Sequence, residues 1–206
     1  MVQYKLHYFD GRGAGEIVRQ IFKLAGQNFE DVRYSFETWP AAKELMPFKQ
    51  VPVLEVDGKQ LPQSYTIARY LGKQFGFHGR DAFEGALIDS YADQVKDWYT
   101  ETRAYISVAL GFAEGDIEKL KNEVLVPALN KNLPFFQTAI KNNKSGFLVG
   151  DSVSWVDLLL AELNHNNFDK YPELYAEYPE LKAHFEKIHA IPAIKSWRES
   201  RPVTKF

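Results

Sequence analysis

Tyr8 closes a short alternating run, Tyr4-Lys5-Leu6-His7-Tyr8-Phe9, and a phenol in that place could hold an anion. Proteins that alternate strands and helices bind ligands just outside the C-terminal ends of their strands. A phenol has a reference pKa of about 10, so at neutral pH it is a donor, and a fixed donor favours an anion over its protonated form. Packing alone is the other use of a tyrosine there. Val51-Pro52 heads a second apolar run. A proline there is a place for a cis bond, which costs only about 0.5–1 kcal/mol before proline. A cis turn would present the Val51 backbone to an extended peptide as if to an added strand. An ordinary trans proline at a strand edge is the alternative. Further on, Leu61-Pro62-Gln63-Ser64 opens a helical pattern. Ser64 at a helix start offers unpaired N–H groups and the positive end of the dipole, a carboxylate site. Gln63 adds a side-chain donor and acceptor. A plain N-cap without a ligand would look the same. Ser154 and Asp157 form an S-x-x-D capping box, a structural device, so Asp157 is not read as a catalytic acid.

These residues need a scaffold. Tyr4 to Phe9 reads as a strand, and Glu16 to Leu24 as an amphipathic helix with Ile17, Ile21 and Leu24 on one face. Phe29 to Phe36 reads as a second strand, and Trp39 to Leu45 as a short helix with Pro40 in its first turn. Val51 to Val56, the turn Asp57-Gly58 and Lys59 to Leu61 read as a hairpin, and Ser64 to Phe75 as a capped helix. The crossover makes the first two strands parallel. From Asp81 the chain reads as all-helical. Phe83 to Phe112 predicts one long helix, and Asp116 starts another, interrupted near Pro127 and Pro134.

The chain has 206 residues, 45% of them hydrophobic and 25% charged, enough for a core without staples. The net charge of −2 lacks the basic footprint of a nucleic-acid binder. No apolar run is long enough to span a membrane, and Met1 to His7 lacks a signal-peptide core, so a cytoplasmic protein is expected. With no cysteine, this chain has no disulfide, thiolate metal site or Cys nucleophile. The five histidines show no metal-ligand spacing.

In order and spacing, several segments together resemble the glutathione transferase family across essentially the whole chain, nearest the sigma class and its nematode relatives. They are Tyr4-Lys5-Leu6-His7-Tyr8-Phe9, Arg12-Gly13, Trp39-Pro40, Pro47-Phe48-Lys49-Gln50-Val51-Pro52-Val53-Leu54, Gln63-Ser64, Ile67-Ala68-Arg69-Tyr70-Leu71 and Ser154-Trp155-Val156-Asp157. The resemblance implies an α/β thioredoxin-like N-terminal domain over residues 1–77 and an all-α C-terminal helical domain over residues 81–206. It implies a homodimer that uses glutathione as co-substrate.

By the same resemblance, Tyr8 would hydrogen-bond the glutathione sulfur, and Trp39 and Lys43 would meet the glycyl end. Gln50 and the Val51 backbone would hold the cysteinyl part, with Pro52 cis. Gln63 and Ser64 would bind the γ-glutamyl carboxylate, and Asp97 of the neighbouring subunit would reach the γ-glutamyl amine. Phe9, Gly13, Ala14, Tyr105 and Phe206 would line the electrophile pocket. The chain departs from relatives at Ala14, where an arginine is common, and at Ala104, where a mammalian prostaglandin D synthase has tryptophan. These small residues imply an open pocket suited to conjugating hydrophobic electrophiles and to binding bulky ligands such as haem. A prostaglandin isomerase or a mainly non-catalytic ligand-binding protein is the alternative. Asp93, Lys96 and Asp97 stand where that synthase binds a metal, and Lys96 would repel a divalent cation, so no metal is expected.

Overall fold

The computed structural model describes residues 2–204. By backbone packing they form two units: the chain up to Phe77 together with the segment from Ile191, and His78–Ala190.

The first unit is built on a four-stranded sheet in the order β2-β1-β3-β4. β1 (Tyr4–Phe9) is parallel to β2 (Glu30–Tyr34) and antiparallel to β3 (Val53–Val56), which pairs with antiparallel β4 (Lys59–Pro62). The expected elements are all present, with β2 and β3 shorter than their apolar runs suggest. Asp57 and Gly58 turn the hairpin with φ of 48° and 80°, the paired left-handed conformation that an Asp-Gly turn supplies. Tyr4 and Leu6 are buried toward α1 (Glu16–Leu24) and α3 (Ser64–Phe75), where Tyr4 meets Phe22 and Phe75 ring to ring. Between the second and third strands, α2 (Trp39–Lys43) is a single short helix.

The amphipathic pattern of α1 predicts one buried face, yet every residue from Glu16 to Phe22 is buried, Arg19 included. The reason is the chain's last helix, which the sequence division grouped with the helical domain. That helix (Pro192–Ser200) packs on α1 within the first unit.

The second unit is all helical: α4 (Ala82–Glu101), α5 (Arg103–Ala109), α6 (Ile117–Leu120), α7 (Val126–Asn143), α8 (Trp155–Lys170) and α9 (Pro179–His189). The chain's last helix, in the first unit, is α10. Trp98, Phe136 and Trp155 are among the largest buried side chains of the second unit. The long helix expected from Phe83 to Phe112 breaks at Thr102, whose hydroxyl donates back to the Trp98 carbonyl at 3.1 Å and whose ψ is near zero. Residues 121–125 form a π-helical turn just before Pro127, while Pro134 sits inside an unbroken α7. The Ser154–Asp157 capping box is formed.

Candidate active site

The sheet register gathers the chemistry at one end. Phe9 pairs with Tyr34, His7 with Val53, and Val53 with Pro62. The loop after β1, the segment after β2, Val51-Pro52 before β3 and Gln63-Ser64 after β4 therefore all leave the sheet on the same side. Residues far apart in sequence meet there because of strand direction alone.

Tyr8 is only 8% exposed. Its hydroxyl oxygen accepts the Ala14 backbone N–H at 2.8 Å, a bond that polarises the O–H. Gly13 and Gly15 lie against its ring. A Cβ built on Gly13 would stand 2.5 Å from the Tyr8 oxygen, and one on Gly15 would stand 2.5 Å from the ring carbon Cδ1. The ring thus lies in a slot that only glycine permits. The importance of Gly15 is invisible in the spacing, because a turn glycine and a contact glycine look alike.

Phe9 faces the opposite way along the strand and joins an aromatic cluster, 5.3 Å from Trp39 and 5.5 Å from Phe36 between ring centroids. Tyr34 adds a second contact to Trp39 at 5.8 Å, so the half-buried indole is fixed from two sides. Lys43 is exposed at the end of α2. Gln50 is extended and exposed, and the Val51-Pro52 bond is cis.

Ser64 is the first residue of α3, and the N-cap is Gln63, where the sequence pattern points to Ser64 as the cap. Gln63 has φ of 79°, a conformation costing a non-glycine residue about 1–3 kcal/mol and concentrated at ligand clamps. Ile67 donates to the Gln63 carbonyl, so the earlier N–H groups of α3 point out from the helix without intrahelical partners. Among the described residues, the side chains of Lys43, Gln50, Gln63 and Ser64 make no hydrogen bond or ion pair. Cation, amide, hydroxyl and helix N-terminus are a donor set suited to a ligand with two carboxylates.

Asp97 and Tyr105 belong to the second unit. Asp97 is exposed on α4. Tyr105 is 2% exposed and donates its hydroxyl to that of Tyr171 at 3.0 Å; burial pushes its pKa up. A ring so enclosed has little surface to offer a ligand. Phe206 lies outside the described residues. Gly13 and Ala14 are exposed, and so is Ala104 on α5. Among the described residues no group of three or more His, Asp or Glu is arranged around a common metal position, and no helix is long and apolar enough to cross a membrane.

A buried ionic group beneath Tyr8 escapes sequence reading. The Arg19 guanidinium lies 5.7 Å from the Tyr8 ring centroid and pairs with Asp31 at 3.1 Å and Glu16 at 3.5 Å. On an isolated amphipathic helix both charges read as solvent-facing.

The family described as glutathione S-transferase, N-terminal domain, matches residues 4–73, and the corresponding C-terminal domain matches residues 100–201. A probable glutathione S-transferase 8 of Caenorhabditis elegans is 51% identical over the full length of both chains. A solved monomeric glutathione S-transferase of the hookworm Necator americanus is 55% identical, with a TM-score of 0.97 over 99% of this chain and all of that one. A Nu-class enzyme of Haemonchus contortus is 52% identical, with a TM-score of 0.92 over both whole chains. The chain belongs to the glutathione S-transferase family.

Proposed function

We propose that the protein binds glutathione at the shared end of the β-sheet and uses Tyr8 to hold its sulfur as a thiolate, which then attacks hydrophobic electrophiles. The carrying observation is the Tyr8 hydroxyl, with its oxygen accepting Ala14 N–H and its ring seated between Gly13 and Gly15. A free thiol has a pKa near 8.5 and is a few per cent ionised at pH 7. A donor worth about 2–3 kcal/mol to the anion lowers that by roughly two units, which makes the thiolate the main form.

The remaining roles follow the donor set. Trp39 and Lys43 meet the glycyl end, Gln50 and the Val51 backbone beside Pro52 hold the cysteinyl part, and Gln63 and Ser64 bind the γ-glutamyl carboxylate. The positive φ of Gln63 supports this assignment. Phe9, Gly13 and Ala14 form the near wall of the electrophile site. Exposed Gly13 and Ala14 leave that wall open to bulky ligands, haem among them, and detoxification is the role that suits it. A protein that consumes reduced glutathione belongs in the cytoplasm, where glutathione keeps thiols reduced.

A homodimer, with Asp97 reaching the partner's glutathione, is the assembly this reading favours. Its support is Phe48, which is 68% exposed at a φ of 56°. An exposed aromatic held in a costly conformation marks a surface made for a partner.

Conjugation of an aromatic halide by wild type and Tyr8→Phe tests the central claim. Turnover should fall at least about tenfold with little change in glutathione affinity, as loss of one charge-directed hydrogen bond demands. Equal turnover would remove Tyr8 from the chemistry. A haem titration competed by an S-alkyl glutathione tests the ligand reading.

A further inference from the structure

Arg19 is wholly buried, and its donors are distributed with care. Its Nε donates to both oxygens of Asp31, its Nη1 to the Gly11 carbonyl at 2.6 Å and to Glu16, and its Nη2 to the Phe9 carbonyl at 3.4 Å. Phe9 ends β1 and Gly11 lies in the loop that delivers Ala14 N–H to Tyr8. The same guanidinium lies within the range of a cation–π contact on the Tyr8 ring.

Glu16, 1% exposed, is in turn gripped by the far end of the chain. Its Oε1 accepts Trp197 Nε1–H at 2.8 Å and Arg201 Nη1–H at 2.6 Å, while its Oε2 faces Arg19. Lys23 lies 4.8 Å from the Trp197 ring centroid and braces it. Arg33 closes the group on the other side, pairing with Asp31 and Asp10. A buried ion pair is costly to assemble and more costly to break on one side only, so each member depends on the others.

We propose that Arg19 is a positioning residue for Tyr8, and that Glu16 with Trp197 and Arg201 of the C-terminal segment holds Arg19 in place. The last helix thereby helps set the acidity of the thiol that Tyr8 holds. A cation against the phenol ring strengthens its O–H as a donor, and the pinned loop fixes its direction. This inference rests on Tyr8 meeting the glutathione sulfur.

The test is the ultraviolet titration of the bound thiolate in wild type, Tyr8→Phe, Arg19→Lys and Arg201→Met, with the pH profile of kcat/KM beside it. Arg201→Met should raise the thiol pKa by about half a unit, a threefold loss of thiolate at acid pH, and Arg19→Lys by about one unit, a tenfold loss. Both rate profiles should converge on wild type at high pH, where the thiol ionises unaided, and KM for glutathione should hold within about twofold. A merely structural defect would lower the rate evenly at every pH, and that result overturns the proposal. So does an unmoved thiol pKa in folded Arg19→Lys and Arg201→Met when Tyr8→Phe shifts it. If Tyr8→Phe leaves it unmoved, the reading of Tyr8 itself falls. Should Arg19→Lys fail to fold, Arg201→Met decides.

Discussion

The Ala14 backbone N–H donates to the Tyr8 hydroxyl oxygen across 2.8 Å, so the residue that would hold the thiolate is itself held by the loop that follows its strand. That loop can approach so closely because its glycines carry no side chain. The acidity of the site is therefore a matter of backbone packing as much as of the phenol.

Gly15→Ala should show this. Its Cβ would fall 2.5 Å from Cδ1 and 2.6 Å from Cγ of Tyr8, against the rigid base of the ring. Displacing the hydroxyl by about 1 Å can cost on the order of a hundredfold in rate, so kcat/KM should drop roughly ten- to a hundredfold. Gly26→Ala is the control for backbone strain without a clash, since Gly26 has a φ of 61° but nothing within 4 Å of its Cβ, whereas Gly15 is in the ordinary right-handed region with φ of −82°. The control should lose about 1 kcal/mol of stability with unchanged kinetics. Matching conjugation kinetics for the two variants would count against the slot.

The first strand, the hairpin and the capping box were legible because each depends on neighbours in sequence. Tyr4 to Phe9 alternates, Asp57-Gly58 demands a tight turn, and Ser154 and Asp157 lie three apart. Tyr8, Gln63 and Ser64 were nameable for the same reason and through the family resemblance. What escaped was long-range. Trp197 and Arg201 reach Glu16 across the length of the chain, so nothing near Arg19 announces that it is buried. The left-handed Phe48 is set by its surroundings, since its composition would suit an ordinary turn. Thr102 breaks a helix whose apolar stripe continues without interruption.

His7, next to Tyr8, gives the first unit a pH dependence. It is buried on the sheet, with Nδ1 2.8 Å from the Tyr34 hydroxyl and Nε2 3.6 Å from Glu55, and Lys5 and Glu30 nearby. Burial lowers its pKa below 6.5 against the opposing pull of Glu55. As pH falls below 6.5, the unfolded chain takes up a proton that the folded chain resists, so the folded state loses stability through that window. Above it, His7 is neutral in both states and contributes no slope. Denaturant midpoints from about pH 7.5 to about pH 5.5 should fall less steeply in His7→Gln than in wild type. At the upper end the variant should be weaker by about 1 kcal/mol for the Tyr34 hydrogen bond. Parallel curves would clear His7 of any part in the acid sensitivity.

Asp157 anchors the second unit as Arg19 anchors the first, but its effect should stop at stability. It is fully buried, and it accepts from Leu148 N–H at 2.8 Å, from Ser154 N–H at 2.8 Å and from the Ser154 hydroxyl at 2.6 Å. His184 Nε2 stands 2.9 Å from its other face, also buried. Asp157→Ala leaves these groups without their acceptor and should cost on the order of 3–5 kcal/mol. Ser154→Ala loses the hydroxyl alone, about 1 kcal/mol. Urea unfolding measures both losses. The titration of the bound thiol in the folded fraction should match wild type in both variants, because the capping box belongs to the second unit and Tyr8, with the loop that holds it, to the first. A shifted thiol pKa in Ser154→Ala, the milder variant, would mean that this cap reaches the chemistry after all.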